Sequence, residues 1–206
     1  MVLTKDYMRV QYLHVHTSTA ARSFLFLLGS AREGGNTETL TKAAAEQLPG
    51  TVEQRWLNLR DVPLEPFQDL RHTSGRDHAE PVGNEKLLLE ATLAATDLVI
   101  ASPLYWYSVS ADAKLYLDYW SGWMRVPGVE FRQRMAGKTL WGVSALSEED
   151  PAQADPLVNT LRLSAEYLRM NWGGVLLGNG SKPDDVLADS AALLRAKTFF
   201  TSLPVY

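Results

Sequence analysis

The segment Ser23-Phe-Leu-Phe-Leu-Leu-Gly29-Ser30-Ala31-Arg32-Glu33-Gly34-Gly35-Asn36-Thr37 joins a short apolar run to a glycine-rich bend and the opening of a helix. Phe24 to Leu28 is bounded on both sides, as a strand buried on both faces requires. From Asn36 onward Leu40, Ala44 and Leu48 recur at helical spacing, until Pro49-Gly50 stops the pattern. Glycines let a backbone bend close to a ligand, and a helix start offers unpaired N–H groups. Ser30, Asn36 and Thr37 add hydrogen-bonding side chains. Arg32 adds a charge-assisted donor worth about 1.5–3 kcal/mol per hydrogen bond, beyond a helix-terminus contribution of about 0.3–1 kcal/mol. The bend reads as an anion cradle that suits a terminal phosphate best. Its spacing rejects two nucleotide motifs: Ala31 occupies the second glycine position of GxGxxG, and no Lys follows Gly34 or Gly35 as a Walker loop needs. The competing structural account is that Asn36 or Thr37 only caps the helix while the glycines turn the chain.

Outward from this segment the same alternation continues. Val52 to Leu59 reads as a second strand, followed over residues 60 to 84 by a loop longer than compact domains keep without a use. Leu87, Leu88, Ala91 and Ala95 give a helix, and Asp97-Leu-Val-Ile-Ala-Ser102 a third strand closed by Pro103. Helical spacing resumes at Ala111, Leu115 and Tyr119, and Thr139 to Leu146 reads as a fourth strand after the Ala136-Gly137-Lys138 turn. Leu157, Leu161, Ala165 and Leu168 form another helix, Trp172 to Leu177 a fifth strand, and Leu187 to Phe199 a closing helix. Continuous apolar strands alternating with helices predict a doubly wound α/β fold with a five-stranded parallel sheet. In such sheets ligands bind beyond the carboxyl ends of the strands, where the strand order reverses. The loops after the first, third and fourth strands therefore matter most.

Composition narrows the chemistry. The chain of 206 residues contains 0 Cys, which excludes disulfide scaffolds, thiolate metal sites, iron–sulfur clusters and cysteine nucleophiles. A formal charge of -4 with no basic stripe argues against a nucleic-acid partner. The longest apolar run falls far short of the roughly 20 residues of a membrane span. Lys5 and Arg9 imitate the basic start of a signal peptide, but Gln11, His14, His16 and Thr17 interrupt its apolar stretch, so a cytoplasmic protein is expected. Residues 1 to 22 show neither period and read as a polar N-terminal arm.

After the third strand stands Ser102-Pro-Leu-Tyr-Trp-Tyr-Ser-Val-Ser-Ala111. Three adjacent aromatics cannot all face one core, so at least one is expected at the mouth of the crevice, where a flat ligand could use it. GSAREGGNTETL after the first strand and SPLYWYSVSADAKLYLDYW after the third together resemble the flavodoxin-like NADPH-dependent FMN reductase family, including its iron–sulfur flavoprotein branch. The likeness spans roughly Ser23 to Gly180, and without cysteines this chain lacks that branch's cluster. The resemblance implies a flavodoxin-like FMN-binding domain over residues 23–206, assembled as a homodimer or homotetramer. It implies hydride transfer from NADPH or NADH through bound FMN to a small-molecule quinone, nitro, azo or flavin acceptor. By match to the first motif, Ser30, Arg32, Asn36 and Thr37 would hold the FMN phosphate. By match to the second, Pro103, Leu104, Tyr105 and Trp106 would border the isoalloxazine. The family's glycine-rich third loop is replaced by Ser144-Ala-Leu-Ser-Glu-Glu-Asp-Pro151, whose acidic run reads as a solvated turn.

No protein nucleophile or acid–base pair is expected, because the cofactor carries the chemistry. His14 and His16 lack a third ligand for a metal, and His72 and His78 read as surface residues of the long loop. Lys114 and Asp118 fit an i, i+4 pair on a helix surface. Two other readings stay open from sequence: a flavodoxin-like electron carrier serving a protein partner, and a flavin-binding interaction module without nicotinamide turnover. The modest net charge favours the enzyme over the carrier, since carriers steer partners with strong surface fields.

Overall fold

A computed structural model describes residues 21–73 and 78–201. Most of the expected arm, with His14 and His16, lies outside the described residues. Five strands form one parallel sheet in the order β2-β1-β3-β4-β5: β1 (Ser23–Leu28), β2 (Glu53–Asn58), β3 (Asp97–Ala101), β4 (Thr139–Leu146) and β5 (Asn171–Asn179). From β1, second in the sheet, the chain adds β2 at one edge, then crosses back to place β3 on the other side of β1. The strand order therefore reverses between β1 and β3.

Alternate residues of each strand supply two separate cores, as the two-residue period of a strand requires. Leu25, Leu27, Leu98, Ile100 and Leu140 pack against α2 (Gly83–Ala94), α3 (Ala111–Trp123), the short α4 (Phe131–Met135) and α5 (Asp155–Tyr167). Phe24, Phe26, Val99, Trp141 and Val143 pack against α1 (Asn36–Ala45) and α6 (Ser190–Ala196). Burial on both faces explains the near-continuous apolar character of β1, β3 and β4.

Three differences from the sequence expectation concern helices. The first helix ends at Ala45, and its last turn tightens to i→i−3 bonds through Leu48, whose N–H donates to Ala45 O at 3.1 Å. The five-residue α4 has no counterpart in the periodic reading. The expected closing helix is broken into a 3₁₀ turn at Asp185–Ala188, α6, and a second 3₁₀ turn at Phe199–Thr201. Asp189 causes the break: its carboxylate accepts from Ala192 N at 2.9 Å as a helix cap and from Asn179 N at 2.9 Å.

Candidate functional site

β1 leads directly into the bend. Gly29 N donates to Ala101 O at 2.8 Å, prolonging the β1–β3 pairing. A Cβ on Gly29 would lie 2.7 Å from Ser110 Oγ and 3.1 Å from Ala113 Cβ at the start of α3, so a side chain there would displace the Ser110 cap. Ser30, nearly buried, accepts from Arg32 N at 3.1 Å and fixes the bend. Gly34 adopts φ +59°, and its N–H donates to Glu38 Oε2 at 2.9 Å. Gly35 caps α1 without a side chain, so the N–H groups of Asn36, Thr37 and Glu38 have no hydrogen-bond partner among the described residues.

Electrostatics around this helix start favour an anion. Glu38 sits in the first turn, but Lys42 Nζ lies 2.6 Å from its carboxylate. Burial alone would raise its pKa; Lys42, the Gly34 N–H and Arg60 outweigh that and hold it below the ordinary carboxylate value. Glu33 is matched by Arg60 at 2.6 Å. Each acid of the bend thus has its own base, whereas the Arg32 guanidinium has no ion-pair partner among the described residues.

The opposite wall follows β3. Ser102 Oγ accepts from Ser110 N at 2.8 Å and donates to Pro103 O at 3.0 Å, shaping the exit from the strand. Leu104 N donates to Ala145 O at 3.1 Å, tying the loop to β4. Tyr105 and Ser108 exchange two backbone hydrogen bonds at 3.0 Å, closing a two-residue turn over Trp106 (φ 49°) and Tyr107 (φ 64°). Such a turn favours Asn and Gly, so two bulky aromatics in the left-handed region are strained.

Between the walls lies a cavity of about 250 Å³ at the carboxyl ends of β1, β3, β4 and β5. It collects seven of the eight expected residues: Ser30, Arg32, Asn36, Thr37, Pro103, Leu104 and Tyr105. Trp106 is not on its wall, because the left-handed turn projects it outward at 93% exposure. Asn36 and Thr37 are also engaged elsewhere. Asn36 Nδ2 donates to Lys182 O at 2.8 Å and its Oδ1 accepts from Val186 N at 3.3 Å. Thr37 Oγ1 accepts from Ala145 N at 3.2 Å, which leaves its hydroxyl proton for another acceptor.

Sequence reasoning missed four further wall residues: Ala145 and Ser147 at the end of β4, and Gly180 and Ser181 after β5. The signal for the last two was present, since Asn179-Gly180-Ser181 is a turn cluster closing an apolar strand. His72 is exposed and His78 packs against Gly122 of α3, away from the cavity. Lys114 and Asp118 form the expected surface pair at 2.6 Å. The donor set suits a flavin mononucleotide: N–H groups, Arg32 and hydroxyls at one end, and the Pro103-Leu104-Tyr105 edge with Ala145 at the other.

A family model described as NADPH-dependent FMN reductase matches residues 23–174. The chain is 30% identical over 170 residues to YwqN of Bacillus subtilis (strain 168), named as an NAD(P)H-dependent FMN-containing oxidoreductase; the match covers 82% of this chain and 91% of that one. Among solved structures, the Trp repressor binding protein of Bacillus subtilis superposes with a TM-score of 0.67 at 25% identity, covering 85% of this chain and 96% of the other. An azoreductase of Bacillus anthracis str. Sterne superposes with a TM-score of 0.60 at 18% identity over 86% and 97% of the two chains, a likeness of fold.

Proposed function

From a chain that belongs to the NADPH-dependent FMN reductase family, we propose an oxidoreductase that holds FMN phosphate-first at the start of α1 and reduces a quinone, nitro, azo or flavin acceptor. When bound, FMN supplies the hydride-accepting and electron-passing chemistry between NAD(P)H and that acceptor. The chain's residues bind and orient. The α1 N–H groups, Ser30, Thr37 and Arg32 grip the phosphate, and Pro103, Leu104 and Tyr105 border the ring. Trp106 stands outside that edge, where it can meet the acceptor or nicotinamide rather than the cofactor's inner rim. One observation carries the reading: the Asn36 and Thr37 N–H groups and the Arg32 guanidinium, unpaired among the described residues, border a cavity whose other wall is Pro103, Leu104 and Ala145.

No described helix is long and apolar enough to cross a membrane. We propose a cytoplasmic protein, assembled as a homodimer or homotetramer; the apolar groove formed by Leu117, Trp120 and Met124 with the exposed Leu163 and Tyr167 is consistent with subunit contact.

The test is spectroscopic, then kinetic. Protein incubated with FMN and freed of excess should be yellow, and should oxidise NADPH with a soluble quinone by ping-pong kinetics. Failure to retain FMN would remove the cofactor assignment; retention without turnover by either nicotinamide would leave a carrier or interaction module.

A further inference from the structure

The loop after β5 is fastened to the phosphate cradle by a side chain expected to bind phosphate directly. Asn36 is nearly buried at the first position of α1, yet both ends of its amide are taken by backbone across the cavity. Its bond to Lys182 O spans 146 positions in the sequence, so it is a tertiary tie rather than a helix cap. Gly180 is shaped to this tie: a Cβ there would lie 2.8 Å from Asn36 Nδ2 and 2.8 Å from Val186 N. Asp185 completes the fastening, its Oδ2 accepting from Ser181 N at 3.1 Å and Lys182 N at 2.7 Å. The N–H groups of Ser181 and Lys182 are thereby used within the loop. What it turns toward the cavity is Ser181, whose hydroxyl has no hydrogen-bond partner among the described residues.

We propose that Ser181 is a phosphate ligand of the bound flavin, and that Asn36 is a positioning residue that serves the phosphate by holding Ser181 in place. The cradle then has two sides, the β1–α1 bend and the β5 loop, with Asn36 as the strut between them. The Ser181 hydroxyl donates one neutral-to-anion hydrogen bond at the rim, opposite Arg32. This inference rests on the cavity being the FMN site.

Flavin-fluorescence titration separates the possibilities, with FMN and riboflavin as paired probes because riboflavin lacks the phosphate. Ser181→Ala, an exposed position, should weaken FMN binding about three- to tenfold and leave riboflavin unchanged, while Ser181→Thr keeps the hydroxyl and the affinity. Asn36→Ala should weaken FMN at least as much, and the double variant no more than Asn36→Ala alone, because one residue acts through the other. Unchanged FMN affinity in Ser181→Ala overturns the assignment of Ser181. Losses that multiply in the double variant make Asn36 a phosphate ligand itself, and equal losses for FMN and riboflavin make it a general structural support; either overturns the strut. Wild-type protein that binds neither flavin overturns the cofactor reading instead, a result distinct from all of these.

Discussion

The two ends of the sheet carry the same polar chemistry in opposite states. At the amino end of the strands Asp97, 2% exposed, accepts from Arg22 Nε at 3.1 Å, from Arg22 Nη2, from Thr96 Oγ1 at 2.7 Å and from Trp141 Nε1 at 2.9 Å. Arg22 also donates to Phe200 O at 2.8 Å and lies over the Phe24 ring at 4.6 Å, joining both ends of the described chain to β3. Every oxygen there is occupied. At the carboxyl end the α1 N–H groups, the Arg32 guanidinium and the Ser181 hydroxyl, without partners among the described residues, stand at a cavity. Buried polar groups cost stability unless paired, so the closed network is what a scaffold needs, and the open one is what a ligand must complete.

Breaking the closed end should have the largest effect. Asp97→Ala leaves the Trp141 indole N–H buried without its acceptor and Arg22 without its counter-charge, and should cost about 3 kcal/mol of unfolding free energy in urea titration. The Arg22 side chain is 39% exposed, which keeps the loss toward the low end of that class. Flavin affinity of the folded fraction should not move; a parallel loss of affinity would mean the two ends are coupled. Arg32→Ala is the reciprocal test. It should weaken FMN binding roughly ten- to hundredfold, about 1.5–3 kcal/mol, with an unchanged urea midpoint in the flavin-free protein. Unchanged affinity would remove Arg32 from the cradle.

Sequence alone located the scaffold well because its signals are local. β4 occupies Thr139–Leu146, the span of the apolar run after the Gly137 turn, and β1 begins at Ser23 where the pattern does. The cradle was legible for the same reason, since a strand, glycines and a helix start are neighbours in the chain. What escaped is non-local or conformational. Asn36 looks like any polar residue at a helix start, and only the fold brings Lys182 to its amide. Trp106 reads as an aromatic beside a crevice, but the Tyr105–Ser108 turn uses none of the Asn or Gly residues that advertise such a turn, so its outward aim was hidden. The break in the last helix depends on Asp189 reaching Asn179, while the apolar spacing of Leu187 and Leu194 runs through it unchanged.

Asp189 also shows that pairing, rather than location in the sheet, separates the two kinds of polar group. It stands just beyond the carboxyl end of β5, yet its oxygens are filled by Asn179 N and Ala192 N. Burial would raise its pKa, but those N–H groups and the nearby Arg195 hold it below the usual carboxylate range. A depressed folded-state pKa contributes stability that is present above the unfolded-state value and fades as pH falls through the folded one. Asp189→Ala should therefore destabilise by about 1 kcal/mol near neutrality, the ordinary worth of a helix cap. The gap between variant and wild type should then close on acidification, as the wild-type carboxylate protonates and gives up the same bonds. Urea titrations of both proteins at neutral and acidic pH measure that gap. A difference that persists in acid would trace the loss to packing of the side chain instead of its charge, and would move Asp189 out of the class of closed polar groups to which Asp97 belongs.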